Sequence, residues 1–140
     1  MKITVMGQGA WGQALAQVAS KAGHDVILWS RTSAQMQKSD AVIIAVPAQA
    51  LRLVLPAVDA PIIISAAKGI ERDTGLTMAE IVHVELPAHA FYALSGPSFA
   101  ADVLAGLPTA ITMAGSDLNA TTKLAAALSL PTFRDRKSVV

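Results

Sequence analysis

Cysteine is absent from this chain of 140 residues, and charged and aromatic side chains are scarce. Without cysteine there is no disulfide framework, no thiolate metal site and no cysteine nucleophile. Eleven Lys and Arg residues are balanced by ten Asp and Glu residues, so the net charge of +1 provides no field that would attract a polyanion. We therefore expect no nucleic-acid binding through bulk charge.

Long apolar runs and histidine clusters are missing as well. No run approaches the ~18 residues that a membrane span needs, and the apolar stretch before Gly7 is too short for a secretory signal peptide. His24, His83 and His89 lack the i, i+4 spacing of a helical metal pair. These absences predict a cytoplasmic protein with no membrane insertion and no metal site.

Apolar residues make up 53% of the chain and charged residues only 15%, which excludes disorder and indicates an aliphatic core. The length favours one domain over residues 1–140. Short apolar runs alternate with segments of helical periodicity from the first residues onwards. We expect strands at 1–6, 25–30, 41–46, 60–66, 90–94 and 109–114, and helices at 10–22, from Pro47 through Leu55, at 77–86, 99–104 and 118–130. This series predicts an α/β fold, a doubly wound (Rossmann-type), mostly parallel sheet with helices on both faces.

A glycine-rich loop follows the first predicted strand. Gly7, Gly9 and Gly12 form the pattern G-x-G-x-x-G directly before an amphipathic helix. In a dinucleotide site the first glycine permits the tight turn, the second lets the backbone approach a pyrophosphate, and the third lets helix and strand pack closely. The pattern therefore predicts dinucleotide binding, although glycines before a helix can also serve packing alone.

The end of the second strand bears on which dinucleotide is bound. An NAD site usually places Asp or Glu there for the ribose 2′-hydroxyl, whereas Arg can neutralise a 2′-phosphate. This strand ends in Trp29-Ser30-Arg31-Thr32 without a carboxylate. We expect NADP to be preferred over NAD, unless Arg31 is simply a solvated charge.

Two further loops lie at the same predicted sheet edge. Lys68 follows a buried strand, where it could hold a phosphate or polarise a carbonyl, or could simply be solvated. Residues 95–98, SGPS, offer hydroxyls and glycine backbone to the same crevice. Ser98 could instead cap the helix that follows.

Five segments together resemble the bacterial NAD(P)-dependent glycerol-3-phosphate dehydrogenases: GQGAWGQALA at 7–16, HDVILWSRT at 24–32, AVPAQALRLVL at 45–55, SAAKGIERDTG at 65–75 and LSGPSFAADVLAGLPTAIT at 94–112. The family reduces dihydroxyacetone phosphate to sn-glycerol 3-phosphate with NAD(P)H, for phospholipid synthesis. The resemblance implies a phosphate-ester substrate and leaves a homodimer open for the complete enzyme. It also implies that Gly7, Gly9, Ala10, Trp11, Gly12, Arg31 and Ala100 serve the cofactor, Gly96 and Ser98 the substrate, and Lys68 both, with Lys68 assisting catalysis.

The chain departs from the family pattern in two places. The family's all-helical C-terminal domain, with the lysine that acts as general acid or base, is expected beyond Val140, so the 140 residues alone are expected to be nearly inactive. The family also has a longer stretch after the second strand, whereas only residues 32–40 lie between Arg31 and the third strand. We expect a short helical turn around residues 34–37 there and no sheet strand outside the second.

Two other functions remain open at this point. A stand-alone dinucleotide-sensing module would need the glycine loop but neither Lys68 nor Ser98. Another reductase of the same wider superfamily, acting on a keto acid or imine, would share the cofactor loop and differ in substrate.

Overall fold

The computed structural model describes the backbone of residues 1–139 and the side chains of residues 1–135. The strands are β1 (Lys2–Met6), β2 (Asp25–Trp29), β3 (Ala41–Ile44), β4 (Ile62–Ser65), β5 (Ala90–Ser95), β6 (Thr109–Gly115) and β7 (Phe133–Val139). The helices are α1 (Ala10–Lys21), α2 (Leu51–Val54), α3 (Met78–Glu85), α4 (Ala100–Leu104) and α5 (Leu118–Leu128), and 3₁₀ turns at Ala48–Ala50 and Leu55–Ala57 flank α2.

The seven strands within residues 1–139 form one sheet in the order β2-β1-β3-β4-β5-β6-β7. Strands β1 to β5 are mutually parallel, β6 is antiparallel to β5, and β7 is parallel to β6. The predicted doubly wound, mostly parallel sheet is confirmed. The antiparallel direction of β6 and the presence of β7 were not predicted from the sequence.

The reversal at β6 follows from the shortness of α4. Five helical residues advance the chain by ~7.5 Å, whereas a strand the length of β5 covers ~20 Å. The connection therefore contains no crossover helix long enough to span the sheet. Strand β6 begins close to where β5 ends and runs back alongside it.

Two apolar clusters lie on opposite faces of the sheet, because successive strand residues point to opposite sides. On one face Ile3, Val5 and Ile43 pack with α1, α4 and α5. On the other face Val42, Ile44 and Ile63 pack with α2 and α3. Each parallel strand in the middle of the sheet is thus covered on both faces. No helix among the described residues is long and apolar enough to cross a membrane.

Local signals in the sequence explain where two helices begin and end. Thr77 and Glu80 form a capping box, in which the hydroxyl accepts from the Glu80 N–H and the carboxylate accepts from the Thr77 N–H. Gly23, at a φ of 91°, follows the C-terminal end of α1.

The crossover segment (residues 30–40) joins β2 to β3 without the helical turn predicted at residues 34–37. It makes turns and bends through residue 35 and then runs irregularly to β3. The Trp29 Nε1–H donates to the Ala34 carbonyl at 2.9 Å, Met36 is buried, and the Ser39 and Thr4 hydroxyls lie 2.6 Å apart. Nine helical residues would rise only ~14 Å, so the more extended path reaches β3 more easily. As expected, no strand within residues 1–139 lies outside β2.

Candidate functional site

The three motif glycines occupy different environments at the C-terminal end of β1. Gly7 has a φ of +114°, and a Cβ there would lie 2.5 Å from the Ala45 carbonyl oxygen. A Cβ on Gly12 would lie 1.9 Å from the Gly7 carbonyl oxygen. A Cβ on Gly9 would meet nothing within 4 Å. Packing of the protein itself therefore requires glycine at positions 7 and 12, but not at position 9.

Gly9 is the N-cap of α1 and makes no side-chain cap, and no acidic residue stands in the first turn. The first N–H groups of a helix lack intrahelical acceptors and carry partial positive charge. At this terminus they are available to an anion that approaches over Gly9, as the motif predicted.

These residues form one wall of a cleft of about 440 Å³, here called the glycine cleft. The remaining walls come from the segments that follow β3, β4 and β5. The predicted site residues that line the cleft are Gly9, Ala10, Trp11, Lys68, Ser98 and Ala100. Loops far apart in the sequence thus meet at one edge of the parallel sheet, where such folds bind ligands.

Lys68 connects two of these loops. Its ammonium donates a hydrogen bond to the Gly96 carbonyl at 2.9 Å, which leaves two further N–H donors. Lys68 also lines a second cavity of about 350 Å³, together with Ser65 and Ser95. The side chain therefore stands at the boundary between the glycine cleft and this neighbouring cavity.

Gly96 and Ser98 have separate structural positions in the loop after β5. A Cβ on Gly96 would lie 2.9 Å from the Ala110 carbonyl oxygen, so close packing against β6 favours glycine there. The suggestion that Ser98 caps the following helix is wrong, because Phe99 is the N-cap of α4 and no side chain caps it. The Ser98 Oγ is buried and has no hydrogen-bond partner within the part of the chain that the structure describes. Ser98 is one of the residues that line the glycine cleft.

Arg31 stands apart from the other predicted residues. It is exposed directly after β2, and its side chain makes no hydrogen bond or ion pair with any described residue. It does not line the glycine cleft. Gly7 and Gly12 lie beneath the cleft and shape it without lining it.

Phe99 and Val46 line the cleft but were not among the predicted site residues. Phe99 is 74% exposed in a chain with only 4% aromatic residues. The one sequence signal that could have identified Phe99 as a cleft residue is its position as an aromatic residue directly after a polar loop at the ligand edge. The sequence contains no comparable signal for Val46, because this residue ends an apolar run that is typical of a buried strand.

The loop after Lys68 is held by an ion-pair cluster. The Arg52 guanidinium donates to both carboxylate oxygens of Glu71, at 3.0 and 2.9 Å, and also pairs with Glu85. These hydrogen bonds, with a further one from the Thr74 hydroxyl, lower the pKa of Glu71 from 4.5 to about 2. The same contact with Glu71 raises the pKa of Arg52. The cluster ties α2 and α3 to the segment that begins at Lys68.

A larger groove of about 650 Å³, here called the α3 groove, lies between α3 and the β5–β6 pair. Its lining includes Val82, Val84, Phe91 and Ala93. None of the predicted site residues borders it, and its walls are mainly apolar. The residues that line the glycine cleft, and not its volume, therefore identify it as the candidate site.

Comparison with known proteins agrees with the geometry. Residues 2–38 and 32–121 match the model of the NAD-dependent glycerol-3-phosphate dehydrogenase N-terminus. The chain is 41% identical to glycerol-3-phosphate dehydrogenase [NAD(P)+] of Brucella ovis and of Azorhizobium caulinodans, each over 95% of this chain and 52% of the relative. It thus spans about half the length of these curated relatives.

Among solved structures, the glycerol-3-phosphate dehydrogenase of Coxiella burnetii superposes with a TM-score of 0.85 at 27% identity, over 98% of this chain and 53% of that one. A reductive aminase from Aspergillus terreus superposes with a TM-score of 0.70 at 18% identity, over 99% and 54%. That second likeness shows the shared fold alone.

The comparisons also locate a missing internal segment. The alignment with the Brucella protein runs over 170 positions although this chain has 140 residues, so the relative has at least 30 residues in the aligned region that this chain lacks. The family model matches in two pieces that meet at residues 32–38, within the crossover segment. The shortening after β2 is therefore a real difference from the relatives.

Proposed function

The chain belongs to the family of NAD-dependent glycerol-3-phosphate dehydrogenases, whose N-terminal part it matches, and from that premise we propose that residues 1–140 form its dinucleotide-binding domain. The domain binds NADP, and less tightly NAD, in the glycine cleft. It thereby supplies the cofactor half of an enzyme that reduces dihydroxyacetone phosphate to sn-glycerol 3-phosphate.

One observation carries this proposal: the glycine loop, Lys68 and Ser98 line the same cleft. The pyrophosphate is proposed to lie over Gly9, where the protein leaves open space, against the uncapped N-terminus of α1. Ala10, Trp11 and Ala100 border the same space and are proposed to contact the cofactor. Arg31, outside the cleft, is proposed to reach the 2′-phosphate of NADP from the adenosine end.

The bound nicotinamide cofactor supplies a hydride to the ketone carbon of the substrate. Lys68 is proposed to donate a hydrogen bond to the substrate oxygen, on which alkoxide charge develops. Its bond to the Gly96 carbonyl holds the ammonium in place for that role. Gly96 and Ser98 are proposed to orient the substrate, the latter through its unpartnered hydroxyl. By resemblance, the proton that completes the alcohol comes from a lysine of the family's helical domain, beyond residue 140.

The test is quenching of the fluorescence of bound NADPH by glycerol 3-phosphate. We expect quenching with the wild-type chain, and Lys68→Met and Ser98→Ala are each expected to weaken glycerol 3-phosphate binding about tenfold or more, because each removes a polar partner of the ligand. Lys38→Met is the matched control, since Lys38 is exposed and lies outside the cleft.

Three outcomes would contradict the proposal. A chain that binds no dinucleotide has no cofactor role. A chain in which Lys68→Met and Ser98→Ala both leave ligand binding unchanged behaves as a sensing module. Equal quenching by keto-acid analogues would indicate another reductase of the same fold.

A further inference from the structure

The outer edge of β2 exposes unpaired backbone groups. On its inner side the Asp25 N–H donates to the Met1 carbonyl at 3.0 Å, and the Trp29 carbonyl accepts from the Gly7 N–H at 2.9 Å. Backbone groups of successive strand residues point to opposite sides in the plane of the sheet. The N–H and C=O groups of Val26 and Leu28 therefore point away from β1, and no strand within the described chain lies beyond them.

The edge lies beside the place where this chain is shorter than its relatives. The missing internal segment would begin directly after β2, where the family model breaks at residues 32–38. The crossover segment that remains does not cover the edge. It passes over the sheet face on which Trp29 and Thr4 lie, as their contacts with Ala34 and Ser39 show.

The edge also lacks the usual features that block strand pairing. Proline, bulges and central charges protect natural edge strands. Strand β2 (DVILW) has no proline, pairs with β1 without a bulge and carries one charge, Asp25, at its start. Leu28 is 41% exposed, and Val26 and Ile27 are partly exposed. A short, mostly apolar strand thus offers two donors and two acceptors to a partner.

We propose that β2 pairs antiparallel with β2 of a second copy of this chain, about a two-fold axis at Ile27. In this register Val26 of each copy lies opposite Leu28 of the other, and each such pair exchanges two hydrogen bonds. All four outward groups of each strand are then satisfied, by four hydrogen bonds in total. The pairing is closed, because each copy uses its only β2 edge.

Backbone N–H groups that already donate within the chain favour this register over the two neighbouring registers. Centring the pair on Leu28 would place Val26 opposite Ser30, whose N–H already donates to the Ser33 hydroxyl at 3.0 Å. Centring it on Val26 would place Leu28 opposite His24, whose N–H already donates to the Ala19 carbonyl at 3.1 Å. Each alternative loses hydrogen bonds that the Ile27-centred register keeps.

Side chains are compatible with the same register. Leu28 would lie beside the second copy's Val26 on one face, which covers apolar surface that is now exposed. Asp25 would lie opposite the second copy's Trp29, so no two like charges face one another. The inference rests on the fold and on the missing segment, and is independent of the proposed cofactor role.

Single-cysteine variants test the register, because the chain has no cysteine of its own. In Ile27→Cys the two thiols would occupy a non-hydrogen-bonded pair with Cα atoms ~4.5 Å apart, within disulfide range. In Val26→Cys and Leu28→Cys the like residues would be offset by two positions, beyond the ~7 Å limit. We expect Ile27→Cys to form a covalent dimer at least about tenfold faster than either neighbour on mild oxidation. Equal rates at the three positions, or a faster rate at 26 or 28, would overturn the proposal.

A proline variant tests the pairing without a covalent bond. Val26→Pro removes an N–H that faces the edge and keeps the hydrogen bonds of β2 to β1. Sedimentation at about 100 µM is expected to give a mass approaching twice 14.5 kDa for the wild type and 14.5 kDa for the variant, with an unchanged far-UV circular dichroism spectrum. A monomeric wild type, or a variant that dimerises equally well, would contradict the inference.

Discussion

Gly7, Gly9 and Gly12 share a residue type and a motif, yet the protein around them requires glycine at only two of the three. Gly7 and Gly12 touch one another and the Ala45 backbone so closely that a methyl group has no room. Gly9 has a φ of −69°, which any residue adopts, and open space where its Cβ would be. A requirement for glycine at position 9 therefore comes from a ligand rather than from the fold.

Gly9→Ala is expected to weaken NADPH binding with little change in the stability of the fold. The variant should bind NADPH at least about tenfold more weakly, because the methyl group occupies the space over which the pyrophosphate is proposed to lie. Alanine lowers the conformational entropy of the unfolded chain, which stabilises the fold, but it is a poorer N-cap than glycine, which destabilises α1. Because these two effects oppose one another, the free energy of unfolding should change by less than about 1 kcal/mol. Calorimetric titration and urea unfolding measure the two quantities.

Gly12→Ala provides the contrast for that experiment. Its Cβ would lie 1.9 Å from the Gly7 carbonyl oxygen, so this variant should lose stability by more than about 2 kcal/mol. Unchanged NADPH affinity in Gly9→Ala would show that the dinucleotide does not pass over this residue.

Arg31 is the residue on which the proposed preference for NADP depends. Arg31→Ala is expected to weaken NADPH binding about tenfold and to change NADH binding by less than about twofold, because only NADPH carries the 2′-phosphate. Parallel titrations with the two dinucleotides measure this difference, with Arg72→Ala as an exposed-arginine control. Equal changes for both dinucleotides would mean that Arg31 does not contact the 2′-phosphate.

The sequence was most informative about residues at which one local rule applies. The glycine spacing predicted the α1 terminus, and the position of Lys68 after a buried strand predicted its place at the ligand edge. The hydrogen bond from Lys68 to Gly96 joins loops 28 positions apart in the chain and follows only from the tertiary fold. The alanine-rich segments after β3 and β4 line the cleft without any polar signature.

Among the elements, the loop from Lys68 to Thr77 is held in place by hydrogen bonds of Gln49 and by the Arg52–Glu71 ion pair. Gln49 donates to the Ile70 carbonyl and accepts from the Arg72 N–H, and Arg52 clamps the Glu71 carboxylate. The loop that carries Lys68 is therefore fixed by the 3₁₀ turn and helix around α2. We expect its position to depend on the ionisation of Glu71.

The lowered pKa of Glu71 predicts how stability depends on pH. A carboxyl whose pKa is about 2 in the folded chain and about 4.5 when unperturbed stabilises the fold fully above pH 4.5 and progressively less as the pH falls towards 2. Glu71→Gln should therefore be less stable than the wild type near neutral pH, and the difference should shrink below pH 4.5.

Thermal unfolding across this pH range measures that difference. Asp73→Asn is the control, because the Asp73 carboxylate has no hydrogen bond or ion pair to another described residue. If the difference in thermal unfolding temperature between the wild type and Glu71→Gln is the same at all pH values, the role given to the Glu71 carboxylate is contradicted.

Elements with strong periodicity or caps were predicted within a few residues, and those that depend on distant pairing were not. The helix α1 and the capping box of α3 are local, whereas the direction of β6 depends on how far α4 can carry the chain. Strand β7 (FRDRKSV) is charge-rich and has no apolar run, as is common for strands at the edge of a sheet. The predicted turn at residues 34–37 failed because anchoring at Trp29 and Ser39 favours an extended path.

Across the whole molecule, the described residues form one seven-stranded sheet with the glycine cleft at its edge, and the chain spans about half the length of its curated relatives. It contains Lys68 and the loop after β5, and the general acid is proposed, by resemblance to the family, to lie beyond residue 140. General acid catalysis typically contributes a factor of 10² to 10⁴.

We therefore expect the 140 residues alone to oxidise NADPH with dihydroxyacetone phosphate at least about a hundredfold more slowly than a full-length relative. The absorbance of NADPH, followed with and without the substrate, measures this rate. Turnover at a rate similar to that of a full-length relative would show that the chain carries its own proton donor.

Calorimetric titration of the purified chain with NADPH, followed by NADH, tests the central claim most directly. We predict one site per chain, with tighter binding of NADPH, because the glycine cleft is formed within these residues and Arg31 is proposed to reach the 2′-phosphate. Absence of binding by either dinucleotide would contradict the claim that this shortened domain retains a working cofactor site.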